Sequence, residues 1–408
     1  MGRSTFFSSL DRDQGYIVGN LFFMYFIQGL FTIMIGSILP MMKEEYGLGY
    51  QVGGMMISAH SVGNMAAVLV ASFLPAYLGM KNSLLFLNGF AFLGFAMTVL
   101  QGNPLWLVAA LLFTGFGRGG VTNYNNSIIN NLAEGHAGPL NLLHGAFAVG
   151  ALLSPFLVLG FTGRGGGGWK GAVLVVLVLI LVSMATSLFM KLDNRRGKAG
   201  MESGGALGFF RERLFWITAG IMFFYLGVEA TVMGWLVTYF IDSGTMGNQQ
   251  AQVLTSVLWS VILLGRLLTA YLSGSRSPRS LILGSSLGIG IFFTSLILSR
   301  SLLPMLASTI GLGMCMAGMF PTTVANAGRI LKRYPMAMGV FVTITSFGAV
   351  LLPALVGIVA EDRGIRPGMS VVFVPVAFLL FFATVNRLLP AEGNDVIKTG
   401  GKAVRESE

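Results

Sequence analysis

Twelve long apolar runs dominate this chain, at roughly 15–39, 51–77, 82–101, 105–131, 139–162, 170–191, 214–241, 249–273, 279–299, 302–327, 335–360 and 368–389. A helix that crosses the hydrocarbon of a bilayer needs about 20 such residues. The runs are too long for strands and show no alternation of period two. In lipid a helix also satisfies its own backbone hydrogen bonds, which a lone strand cannot do. The expected fold is therefore an all-α membrane protein with twelve transmembrane helices. Composition agrees, with 54% hydrophobic residues and only 10% Asp, Glu, Lys and Arg, against about 25% in soluble domains. A soluble enzyme, a disordered chain and a secreted disulfide scaffold are excluded. The one cysteine, Cys315, has no partner for an internal disulfide and sits in an apolar run as a small packing residue. The first run is too long for a signal peptide and has no small-residue cleavage site.

The longest polar interruption, Asp193–Arg213, follows the sixth run. It divides the chain into an N-terminal six-helix bundle (1–192), a linker (193–213) and a C-terminal bundle with a tail (214–408). With the N-terminus inside, 18 of the 26 Lys and Arg residues fall on inner segments, 6 on outer segments, and Arg118 and Arg266 within runs. That is the positive-inside pattern, and it expects both termini in the cytoplasm of a multi-pass protein of the cell membrane. The formal charge of +10 is thus a topology signal. No nucleic-acid partner is expected, and the lipid bilayer is.

The halves repeat at offsets of 196 to 202 residues. Gly19-Asn20-Leu21-Phe22-Phe23 with Gln28 matches Gly220-Ile221-Met222-Phe223-Phe224 with Glu229. Gly63-Asn64 matches Gly265-Arg266, and Gly115-Phe116-Gly117 with Asn130 matches Gly311-Leu312-Gly313 with Asn326. Gly150 to Pro155 matches Gly348 to Pro353. Two repeated bundles with a solute path between them form a transporter architecture, in which the bundles rock about a central site.

At these residues the chain resembles the major facilitator superfamily, and within it the fucose/glucose-type proton symporter branch. The resemblance is carried by Asn141-Leu142-Leu143-His144-Gly145 followed by Gly150 and Pro155. It is carried also by Tyr225-Leu226-Gly227-Val228-Glu229 followed by Trp235 and Tyr239, by Gly265-Arg266-Leu267 and by Phe320-Pro321-Thr322. It implies two pseudo-symmetric six-helix bundles, alternating access and a cavity lined by the first and seventh spans. The chain departs from the family in its loop motif, which reads Leu78-Gly79-Met80-Lys81-Asn82 and Ser273-Gly274-Ser275-Arg276 without an acid. It also carries Asn20 and Gln28 in span one and Arg118 in span four, where the fucose-type symporters carry acids.

Glu229 is the one acid deep within a run. Burying a carboxylate is expensive, so such a group faces a cavity, pairs with a base or takes up a proton. Glu229 is expected to couple protons, with Arg118 as its counter-ion or as a solute ligand and His144 as a relay. The glycines Gly117, Gly119 and Gly120 beside Arg118 suggest room for a ligand or another helix. Asn123, Asn126 and Asn130 share one helical face, an amide row that suits hydroxyl groups or helix–helix hydrogen bonds. Candidate solute ligands are Tyr25, Gln28, Asn123, Tyr124, Asn126, Asn141, His144, Trp235, Tyr239, Trp259 and Asn326. Trp235 and Tyr239 would equally serve as interfacial anchors. Arg266, nearer the inner end of span eight, is expected to gate.

No phosphate-cradling loop, His-Glu-x-x-His or Cys-x-x-Cys is present, so no catalytic residue, metal or cofactor is expected. The leading reading is a monomeric secondary transporter of a small polar, sugar-like solute with coupled protons, and not an enzyme. A proton-antiport exporter of amphiphilic compounds and an uncoupled uniporter are the alternatives.

Overall fold

The computed structural model describes Phe6 and residues 10–133, 137–163, 168–192 and 208–390. Residues 193–207 of the expected linker and the tail from 391 lie outside them. Twelve helical segments are long and apolar enough to cross a membrane, and no strand occurs among the described residues. They are α1 (Arg12–Tyr46), α2 (Tyr50–Leu78), α3 (Met80–Leu100), α4 (Pro104–Leu132), α5 (Ala137–Thr162) and α6 (Gly168–Ser187), followed by α7 (Arg213–Asp242), α8 (Asn248–Leu272) and α9 (Pro278–Leu298). The tenth span is broken into α10 (Leu302–Met316) and α11 (Met319–Arg333). The eleventh is α12 (Pro335–Arg363), and the twelfth is α13 (Ile365–Ser370) plus α14 (Phe373–Leu388). The chain is a multi-pass membrane protein of two six-span bundles.

Local chemistry explains the ends. Asp11 caps α1 in a reciprocal box with Gln14, and Asn103 and Ser277 cap α4 and α9 just before Pro104 and Pro278. Such caps satisfy N–H groups that a helix leaves without partners, and proline at the first position loses nothing. Gly79 turns the chain between α2 and α3 at φ +77°, a conformation closed to most side chains. The break in span ten has an equally local cause. Pro321 offers no N–H to the Ala317 carbonyl, and Gly318 tolerates the bend. The outer faces stay apolar: along α6, Leu174, Val178 and Leu181 are exposed while Val173, Val176 and Ile180 are buried.

Between helices in lipid there is no hydrophobic drive, so close packing has to supply the attraction. Glycine crossings supply it here. Gly29 of α1 lies against the Phe147 carbonyl of α5, and Gly150 of α5 lies against the Phe26 carbonyl of α1. The second half repeats the device: Gly227 of α7 meets the Gly348 carbonyl of α12, and Gly348 meets the Phe223 carbonyl. In the same way Gly63 and Gly115 join α2 to α4, while Gly265 and Gly313 join α8 to α10. Several of the repeated glycines, Gly63, Gly115, Gly150 and Gly348 among them, are thus points where helix backbones touch, whereas Gly19 meets nothing and Gly220 and Gly311 face phenylalanine rings. Peripheral pairs, α3 with α6 and α9 with α14, complete the halves.

The halves meet through α1 with α7, α2 with α12 and α5 with α8. At the distal end, where α1 turns into α2, they are sealed. Lys43 pairs with Asp242 at 3.0 Å and lies over the Tyr50 ring, whose hydroxyl donates to the same carboxylate at 2.9 Å. Glu361 accepts from the Gln51 backbone N–H at 2.9 Å, and Ser58 donates to the Val350 carbonyl at 2.6 Å. Gly36 packs on the Met233 carbonyl, and Gly54 on Pro353. At the opposite, proximal end, α4 and α11 make no extensive packing across the halves among the described residues.

Because any Cβ at residue 150 would overlap the α1 backbone, Gly150→Leu is expected to cost about 1–3 kcal/mol and to lower the melting temperature in detergent. Gly145→Leu on the same helix meets open space and should leave melting unchanged. Equal melting of the two variants would show that the crossing is not what holds α1 to α5.

Candidate functional site

Below the seal, α1, α4 and α5 face α7, α8 and α10 across a polar crevice. Glu229 lies midway along α7, partly exposed. Tyr225, four residues earlier on the same face, donates to Glu229 Oε1 at 2.8 Å and stands 2.9 Å from the Met316 carbonyl at the break of span ten. Arg118 of α4 and Arg266 of α8 both interact electrostatically with Glu229, yet no ion pair joins either to it among the described residues. The permanent Arg–Glu lock, one reading of the sequence, is therefore absent from this conformation.

Arg118 reaches the crevice because its neighbours are spent on packing. Gly117 fits against Ala91, Gly119 against the Asn64 carbonyl and Gly120 against Leu87. Of the two uses the sequence offered for these glycines, a ligand or another helix, the structure shows the second: they hold α4 against α2 and α3. The Arg118 guanidinium lies 6.0 Å from the Phe147 ring centroid and 3.4 Å from Asn64 Oδ1, a long contact. Gln28, 3% exposed, donates to the Arg118 carbonyl at 3.3 Å and accepts from the Thr122 hydroxyl at 3.0 Å. The Tyr25 hydroxyl donates to Asn126 Oδ1, and its ring meets His144 edge-on at 5.4 Å. Trp259 and Phe147 make a second edge contact at 5.8 Å across the α5–α8 interface.

On α4 the amide row is the accessible face: Asn123 and Asn126 are partly exposed and Asn130 is exposed. The neighbouring Asn125 is buried and donates to the Leu21 carbonyl at 3.4 Å. Asn141 is exposed one turn before His144 on α5. Arg266, expected to gate, is partly exposed and lies within electrostatic reach of Tyr225, Glu229 and His144.

Four sequence candidates fall elsewhere. Tyr124 is buried among Leu84, Leu87 and Ile128, where α4 packs on α3. Trp235 is fully buried in the distal seal against Gly53, and its indole N–H donates to the Pro353 carbonyl at 3.1 Å. The Tyr239 hydroxyl points to the Leu296 carbonyl at 3.3 Å. Asn326 donates to Asn386 Oδ1 at 2.9 Å, tying α11 to α14. Each side chain is consumed by helix packing. Conversely, Tyr225, Thr122, Asn64 and Phe147 line the crevice without having been read as site candidates. Tyr225, one turn before Glu229 in the motif, and Asn64, the counterpart of Arg266 in the repeat, were readable signals; Thr122 and Phe147 carried none. Among the described residues no three His, Cys, Asp or Glu groups come together as a metal site would require.

The arrangement can hold hydroxyls on amides, neutralise or exchange one carboxyl proton, and meet negative charge with two guanidiniums. Residues 21–302 match the Major Facilitator Superfamily. Over 356 residues the chain is 22% identical to the glucose/mannose transporter GlcP of Bacillus subtilis (strain 168), covering 84% of this chain and 87% of that one. The fold is similar to that of the nucleoside transporter NupG, with a TM-score of 0.71 at 13% identity over 92% of this chain and 98% of that one. It is similar also to a single-substitution variant of the E. coli fucose:proton symporter FucP, with a TM-score of 0.61 at 16% identity over 91% and 99%. With its twelve spans, its two-bundle fold and a family match over most of its length, the chain belongs to the Major Facilitator Superfamily of membrane transporters.

Proposed function

We propose that this protein carries a small, hydroxyl-rich, sugar-like solute across the cell membrane together with protons, by alternating access between its two bundles. One observation carries the reading. A mid-membrane carboxyl, Glu229, is partly exposed and makes no ion pair among the described residues, and it faces a crevice edged by the amides and hydroxyls of Gln28, Thr122, Asn123 and Asn126. A carboxyl in that position has to exchange charge with a proton or a ligand to be tolerated. The likeness to a glucose/mannose transporter over most of both chains supports the solute class. The amide face disfavours an exporter of amphiphilic compounds, and the missing ion pair disfavours a uniporter in which Glu229 only locks helices.

With both termini in the cytoplasm, as the distribution of basic residues supports, the sealed distal end is the outer one. The conformation is then inward-facing. Lys43, Tyr50, Asp242 and Glu361 make up the outer closure, and breaking it would let the crevice open outward. Tyr225 links the coupling carboxyl to span ten. Its single hydroxyl hydrogen lies between Glu229 and the Met316 carbonyl, so the protonation of Glu229 decides which of the two it serves.

Three outcomes test this. In proteoliposomes, Glu229→Gln should abolish solute accumulation driven by a proton gradient while solute exchange persists; undiminished accumulation would remove the coupling role. Tyr225→Phe should weaken coupling several-fold, the scale of one lost hydrogen bond, with less effect on exchange. A cysteine at Ser58 in a Cys315→Ser background should react faster with a membrane-impermeant thiol reagent when Asp242 is also changed to Asn. An unchanged labelling rate would mean that the Lys43–Asp242 pair does not hold the outer closure.

A further inference from the structure

The charges in the crevice do not balance. Arg118 and Arg266 bring two cations to one acid, Glu229, and no other acid lies deep within a described span. The groups in electrostatic reach of Arg118 are Glu229, Tyr25 and His60; those in reach of Arg266 are Glu229, Tyr225 and His144. None but Glu229 supplies a negative charge near neutral pH. The site is therefore one positive charge in excess, and two when Glu229 holds a proton. Unpaired charge within a membrane is rare because desolvation is costly, so a fixed surplus calls for a ligand of opposite sign.

Unpartnered donors stand on both sides. The Nε atoms of Arg118 and Arg266 and the indole N–H of Trp259 are buried with no acceptor among the described residues. All three can donate and none can accept. Unpartnered acceptors are buried too, at His60, Asn125 Oδ1 and Gln252 Oε1, but they are neutral and leave the two cations unbalanced. Asn64 Oδ1, at 3.4 Å from Arg118 Nη1, is a weak acceptor at that length. Charged donors without a partner thus stand on both halves, α4 on one and α8 on the other. Between them stands Phe147, next to Arg118 on one side and Trp259 on the other, an apolar face against which carbon-bound hydrogens pack. Guanidinium groups match carboxylate oxygens in a planar fork and lysine does not.

Resting on the transporter reading above, we propose that the solute is a hydroxylated monocarboxylate, a sugar acid rather than a neutral sugar, its carboxylate bridging Arg118 and Arg266. A monoanion cancels the surplus of one charge. Protonating Glu229 then strengthens the hold on the anion, because the competing negative charge disappears. One proton carried with one monoanion moves no net charge across the membrane. Binding the carboxylate would also draw α4 and α8 together across the crevice, which gives the solute itself a part in closing it.

The test uses the purified full-length protein with four probes: D-gluconate, D-glucuronate, D-glucose and D-mannose. Gluconate or glucuronate should raise the melting temperature and exchange across proteoliposomes, more strongly at lower pH, while glucose and mannose do so weakly or not at all. Arg118→Gln and Arg266→Gln should each weaken acid binding about ten-fold or more, the scale of a lost charged hydrogen bond. Arg118→Lys, which keeps the charge and loses the fork, should fall between. Binding and exchange of glucose or mannose with both acids inert would overturn the proposal and leave the sugar-transporter reading intact, with the arginines serving Glu229 alone. Inertness of all four probes would overturn both. Acid binding unaffected by any of the three variants would also overturn it, since the carboxylate would then be held elsewhere.

Discussion

A charged group inside hydrocarbon has no water to fall back on, and the whole middle of this protein is arranged around that constraint. Glu229 is kept off lipid by its place on the crevice face of α7, and it makes no ion pair with Arg118 of the opposite half or Arg266 of its own among the described residues. The partner it does have, Tyr225, is neutral. A carboxyl so placed is neither neutralised by a fixed counter-ion nor solvated by bulk water, which makes it responsive to whatever enters the crevice. The guanidiniums of Arg118 and Arg266 lie within electrostatic reach of it, and the amides of Asn123 and Asn126 on α4 are partly exposed.

The rest of the fold allows two rigid bodies to share such a centre. Within each half, backbones touch at paired glycines, Gly29 with Gly150 and Gly227 with Gly348, so each half holds together through shape and not through side-chain reach. Between halves glycine crossings recur at the distal end, Gly36 on the Met233 carbonyl and Gly54 on Pro353. There they are joined by the Lys43–Asp242 ion pair and by side-chain hydrogen bonds such as that of Ser58 to the Val350 carbonyl. The packing between halves is concentrated at that end.

Apolarity and length made the twelve spans readable, because a bilayer imposes both on any crossing helix. The repeat was readable too, since several glycines that define it, such as Gly150 and Gly348, are also ones the crossings require. Ends were harder: α1 runs on to Tyr46 past the apolar residues because Lys43, Glu44 and Glu45 extend it into the rim, and hydropathy does not register a polar helix. Side-chain direction was the main loss. The glycines around Arg118 could have made space for a solute or for another helix, and they are surfaces for α2 and α3. Trp235 and Tyr239 looked like ligands and are packed away, since an aromatic residue near a helix end reads alike in either role. The seal between Lys43 and Asp242 spans 199 positions of sequence, and nothing local in the chain announces that pairing.

That pair also sets how the rim answers its surroundings. Lys43 and Asp242 meet at 3.0 Å, with side chains only 11% and 23% exposed. Their separation is far inside the screening distance of about 8 Å at physiological salt, and a pair so far buried is screened little. Dissolved salt therefore has a weak hold on this closure. Removing either charge, which would strand the other in a nearly dry rim, is the stronger lever.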